Sequence, residues 1–178
     1  MKTIFYLIIV LTFISCNSDN FYETDRIILT DKTKYKIDDK FEIKLTISPH
    51  NEKKEIRVYE NFKNLEISFS LVNDQKNIQN EDWSLNSGEF LKETKINKIL
   101  ISKKNPFVKI FQGKITEKEN LVELNIAELN LTAQFDKAKL SNGSLIRIHG
   151  FCNPIEPEFG ASLEEYFEPV EIKIITDK

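Results

Sequence analysis

His149 and Cys152 stand three residues apart near the end of the chain, and they name the first chemistry to test, a thiolate nucleophile with an imidazole base. Such a pair works only when a third group orients the ring and the fold gathers all three. The spacing around His149 supplies no orienting Asn or Asp. The other histidine, His50, follows Pro49 in a turn-like stretch. Two histidines exclude a His-rich metal site within one chain, though not a mixed carboxylate site. No zinc spacing, G-x-S-x-G, glycine-rich phosphate loop or D-x-D-x-D-G-like calcium loop is present. The sequence therefore names no catalytic residue, no metal ligand and no cofactor.

Binding has better candidates. Connections longer than about 12–15 residues are seldom passive, and two stand out. The first, Phe151–Glu168, carries Glu156, Glu158, Glu164, Glu165 and Glu168 and no basic residue. Pro154, Pro157 and Pro169 stiffen it, while Phe159 and Tyr166 give it aromatic content. Those features suit a partner with a basic patch, with Glu156, Glu158, Phe159, Glu164, Glu165 and Tyr166 as the contacts. The competing reading has the aromatics covering the open end of a core and the glutamates merely solvated. The second connection, Asn73–Glu93, holds the chain's single tryptophan, Trp83. Trp83 is either an exposed anchor or a ring packed down on a sheet. Between Lys92 and Lys118, eight lysines outnumber two glutamates. They suit anionic headgroups or an acidic partner, or else the solvent rows of edge strands, where lysine blocks edge-to-edge aggregation.

The elements that must position these residues read as strands. Phe41–Ile47 and Leu65–Leu71 alternate apolar and polar residues, as do Ile56–Val58 and Val170–Ile174 more briefly. Period-2 alternation gives one dry face and one wet face, the pattern of antiparallel sheets. Less regular strands are expected at Ile27–Leu29, Tyr35–Ile37, Lys98–Ile101, Phe107–Ile115, Leu121–Ile126 and Ser144–His149. Asn142-Gly143 and Asp38-Asp39 mark tight turns. Ser162-Leu163-Glu164-Glu165 has capping-box spacing and suggests one helical turn. Short strands at this spacing argue for a sandwich of about seven to nine strands.

The chain opens on MKTIFYLIIVLTFISC: a positive Lys2, an apolar run over Ile4–Ile14, then Cys16. The run is shorter than the ~20 residues that span a bilayer, and Phe13 fits an A-x-A-like secretory cleavage site poorly. Phe13-Ile14-Ser15-Cys16 resembles the lipobox of bacterial lipoproteins, with Phe13 where an aliphatic residue is usual. That resemblance implies that residues 1–15 are a signal peptide and that Cys16 carries a diacylglyceryl thioether. Two or more acyl chains anchor stably where one does not, so the bilayer is a partner through Cys16. Asn17, rather than Asp, after the cysteine favours the outer over the inner membrane. Residues 16–25 then form a polar tether and 26–178 a single domain.

Asp136–Leu140, Gly143, Leu145–Ile148 and Val170–Ile174 together resemble the last two strands of bacterial immunoglobulin-like domains, with Leu145 where Tyr is common and no inter-sheet Cys pair. A transthyretin-like sandwich fits nearly as well. Neither carries a function. The formal net charge of −3 and an envelope address both disfavour nucleic acid. With Cys16 acylated, Cys152 has no disulfide partner in the chain and reads as a buried thiol. The expectation is a non-enzymatic, membrane-tethered binding module that meets a protein partner through loops away from its anchor. A structural envelope component or a glycan or small-ligand binder stands as the alternative.

Overall fold

The computed structural model describes residues 24–72, 78–85, 95–152 and 165–176, without the side chains of 78–85 and Glu165. Cys16, Glu156, Glu158, Phe159 and Glu164 lie outside the described residues, as do the side chains of Trp83 and Glu165.

The chain is an all-β sandwich. One sheet orders β1 (Thr24–Thr30), β3 (Lys40–Pro49), β8 (Phe107–Lys118), β9 (Leu121–Ile126) and β10 (Leu131–Asp136), every pair antiparallel. The other orders β2 (Lys34–Lys36), β13 (Val170–Ile175), β11 (Leu145–Cys152), β5 (Leu65–Val72) and β6 (Ile78–Leu85), with the short β12 (Glu165–Tyr166) on β11. A separate antiparallel ribbon joins β4 (Lys53–Tyr59) to β7 (Ile96–Ser102). The thirteen strands among the described residues exceed the seven to nine expected, and β6, β10 and β12 are the ones that no expected segment covers.

Alternation becomes burial most directly in β3, where Phe41, Ile43, Leu45 and Ile47 all point into the core. They face Ile67, Phe69 and Leu71 of β5, Ile146 and Ile148 of β11, and Ile172 and Ile174 of β13. Each such side chain contributes about 1.5–3 kcal/mol when fully buried. Phe41 and Phe69 meet edge to face across the sandwich, ring centroids 6.4 Å apart. Opposite Phe41 in register on β8 stands Gly113, and the Phe41 ring occupies the space a side chain there would take.

One lateral edge closes by a strand that changes sheets. After β1 leaves the first sheet, Asp31 turns the chain so that β2 pairs in parallel with β13. The Tyr35 hydroxyl donates to Asp31 Oδ1 at 2.7 Å, and the same oxygen accepts the Glu42 amide at 2.8 Å. Burial pulls the Asp31 pKa up, but these hydrogen bonds hold it below the usual carboxylate value. Burial and the Asp31 partner push Tyr35 up to about 12, so it stays a donor.

Several expectations are corrected here. The connection Asn73–Glu93 is not one long loop: β6 lies within it and pairs with β5 across a register shift between Phe69 and Leu71. Its sequence, IQNEDWSL, lacks apolar alternation, so only backbone pairing reveals it. Strand β10 alternates Leu131, Ala133 and Phe135 inward, a signal diluted by the small Ala133. Asn142-Gly143 closes the helix α1 (Lys137–Ser141) rather than a hairpin. Gly143 has φ 99°, the Asn142 amide reaches Ala138 O, and Asp136 caps the other end through the Ala138 amide at 2.7 Å. Glu165, assigned to a helical turn, starts β12. Thr24 and Asp25, assigned to the tether, already belong to β1. Finally, β5 is not dry on one face only: Ser68 and Ser70, on its outer face, are both fully buried.

Candidate functional site

The strand register gathers three chain segments at one end of the sandwich. Thr24 opposes Pro49 and Asp25 opposes Ser48, so the start of β1 lies beside the β3–β4 turn. Lys53 opposes Ser102, which brings the β7–β8 turn to the same place. There His50 Nε2 meets Asp25 Oδ1 at 2.6 Å, both side chains well exposed. Two cavities flank that pair. One, of about 570 Å³, is lined by His50, Asn51, Glu52, Lys53, Ser102, Lys103 and Lys104. The other, of about 310 Å³, is lined by Thr24, Asp25, Arg26, Ile27, Tyr166 and Glu168.

The second cavity fixes where the acidic connection is rooted. The near root of the connection is Cys152, the end of β11, which pairs with Glu165. Its far side returns along β1: Ile27 bridges Glu168, and the Glu168 amide donates to Arg26 O at 3.1 Å. Phe167 is buried against Gly150, its amide donating to Gly150 O at 2.8 Å. Of the contacts expected in this connection, Tyr166 is 57% exposed and stands edge-on to Phe151 at 5.1 Å. Both roots therefore sit at the end where β1 begins, and not at the opposite end as expected.

His149 and Cys152 are not brought together. Residues three apart on a strand point to opposite faces; Cys152 turns inward beside Asn64, with Sγ 3.9 Å from Nδ2, while His149 faces out. His149 instead hydrogen-bonds Ser70, Oγ to Nε2 at 3.1 Å. This serine–imidazole contact, invisible from sequence because the residues come from different strands, has the wrong surroundings for a nucleophile and base. Ser70 is fully buried. A catalytic imidazole gains its proton beside a carboxylate, whereas burial and the Arg147 charge push His149 down to about 4. Arg147 is itself held by Glu171 at 2.6 Å. Among the described residues, no group of three His, Cys, Asp or Glu side chains could hold a metal ion.

The low His149 pKa makes a sign prediction. Between about pH 6.5 and 4 the unfolded chain takes up a proton that the folded chain refuses, so stability falls as pH drops through that window. Above it His149 is neutral in both states and contributes no slope. The urea midpoint of the wild type should fall more from pH 7 to pH 5 than that of His149→Gln. Equal losses would contradict the assignment.

Among the described residues, the lysines of Lys92–Lys118 scatter rather than form one face. Lys95, Lys98 and Lys114 sit 3.8 Å from Glu60, Glu55 and Asp38 in turn. Lys109 lies over the Phe62 ring and pairs with Glu128, on a strand that is central and not an edge. Lys103 and Lys104 remain exposed in the β7–β8 turn.

No protein-family model matches this chain, and no curated protein does. Among solved structures, the chain is similar to the crystal structure of Spo0M, a sporulation control protein from Bacillus subtilis. The alignment has 8% identity and a TM-score of 0.40, over 88% of this chain and 51% of that one. The chain thus spans about half the length of that protein, and the likeness shows nothing of what it does.

Proposed function

We propose that this protein is a lipid-anchored module of the bacterial cell envelope, in the outer membrane rather than the inner, that binds a protein or envelope component without catalysing a reaction. The lipobox-like Phe13-Ile14-Ser15-Cys16 carries the reading. The placement of Thr24 at one end of a packed sandwich supports it, because a short tether there moors the domain by that end. The glutamate-rich connection supplies the binding element, and its roots beside Thr24 put the encounter close to the bilayer instead of far from it. Charge complementarity of this kind raises association rate and selects the partner.

Replacing Glu156, Glu158, Glu164 and Glu165 together by glutamine tests the binding half. Capture of envelope proteins by the tethered chain should fall about tenfold or more, and the remainder should lose its salt dependence. Capture that survives unchanged would remove the acidic connection from the account.

A further inference from the structure

The end of the sandwich where β1 begins carries three exposed lysines. Lys53 ends the β3–β4 turn, and Lys103 and Lys104 occupy the β7–β8 turn; all three are exposed around the 570 Å³ cavity. Among the described residues none of the three is paired with a carboxylate, in contrast to Lys95, Lys98, Lys109 and Lys114. Glu52 lines the same cavity, and Asp25 is engaged by His50 beside it. A turn of loose lysines is by itself an ordinary surface. Its position relative to the anchor makes it more.

Seven residues separate Cys16 from Thr24, a reach of at most ~26 Å over the connecting steps even when fully extended. Thr24 pairs with Pro49, at the foot of the same turn that ends in Lys53. An acylated Cys16 therefore keeps this end within about 26 Å of the headgroups. The opposite end, marked by Lys40 and Lys118, lies a strand length away, roughly 30 Å along β3 and β8. That is several Debye lengths at physiological salt.

We infer that this end of the sandwich rests on the bilayer, with Lys53, Lys103 and Lys104 against anionic phospholipid headgroups. The inference rests on the lipid-anchor reading above and adds an orientation to it. Juxtamembrane lysines gain from the negative surface potential of anionic lipid only within about a Debye length of it, and the tether roots the domain at the end that carries these three. The domain then stands upright on its own anchor.

The test is lysine-selective labelling of the full mature protein reconstituted into vesicles of pure phosphatidylcholine or with about a third phosphatidylglycerol. Lys53, Lys103 and Lys104 should label at least fivefold more slowly on the anionic vesicles, while Lys40 and Lys118 label alike on both. Protection should vanish in 0.5 M salt. Co-flotation with both vesicles but equal labelling of the three lysines would overturn the orientation and leave the anchor standing. Failure to co-float with either would overturn both. Equal protection by inorganic phosphate without vesicles would overturn the headgroup assignment in favour of a free anion site.

Discussion

Gly113→Ala is expected to unfold this protein several degrees earlier, even though the substitution adds one methyl group in ordinary extended backbone. A Cβ at Gly113 would come within 2.1–2.6 Å of three atoms of the Phe41 ring. That ring is fully buried and cannot swing clear, because Tyr35 lies edge-on at 6.2 Å and Phe69 at 6.4 Å. Overpacking of this kind costs about 1–3 kcal/mol or somewhat more, which for a chain of this size lowers Tm by roughly 2–4 °C per kcal/mol. Without the clash the sign would reverse, since a tolerated Gly→Ala change stabilises by about 0.4–1 kcal/mol through the unfolded state. A double-mutant cycle separates the two. Phe41→Ala alone should cost about 3–5 kcal/mol, and adding Gly113→Ala to it should cost nothing or recover part of the loss. Additive costs would show that the ring over the glycine is not what fixes β3 against β8.

The second large effect concerns the anchor. A single fatty chain binds membranes with a constant of only ~10⁴ M⁻¹, and each further buried methylene adds about 0.8 kcal/mol. A diacylated Cys16 should therefore hold essentially all of the protein in the membrane fraction. Exchanging residues 1–15 for an ordinary cleavable secretory signal, with Cys16→Ser at the junction, should lower that fraction at least a hundredfold. The urea midpoint should stay unchanged, because Cys16 precedes the first strand among the described residues. The signal must be exchanged along with the cysteine, since an uncleaved apolar run over Ile4–Ile14 would itself retain the chain. Membrane retention after both changes would mean that something other than the thioether attaches this protein.

Most of the fold was legible because most strands bury one face and therefore alternate. Phe41–Ile47, Leu65–Leu71, Leu121–Ile126 and Val170–Ile174 all fall within observed strands. The failures have physical causes. β6 is held by backbone pairing and carries no pattern in its side chains. β8 buries Phe107, Phe111 and Ile115 four residues apart, with Lys109 and Gly113 on the same face between them. A lysine lying over two aromatic rings and a glycine filled by a neighbour's ring are tertiary solutions that no local window shows. Asn142-Gly143 has the same chemistry at a helix end as in a hairpin, so the dipeptide alone could not choose. The site was less legible than the fold. Composition and motif nominate the glutamates, Trp83 and Cys16, but where the acidic connection is rooted, at Cys152 and Glu168, depends on register. The gathering of Asp25, His50, Lys53 and Lys103 follows from two strand pairings and one side-chain contact that only the folded chain reveals.

The mass of the N-terminal peptide of the protein isolated from its own membranes is the most direct test. A peptide that begins at Cys16 and carries a diacylglyceryl group, with residues 1–15 gone, is what a moored sandwich requires. An unmodified Cys16, or a chain that starts at any other residue, would contradict the anchor and with it the orientation built upon it.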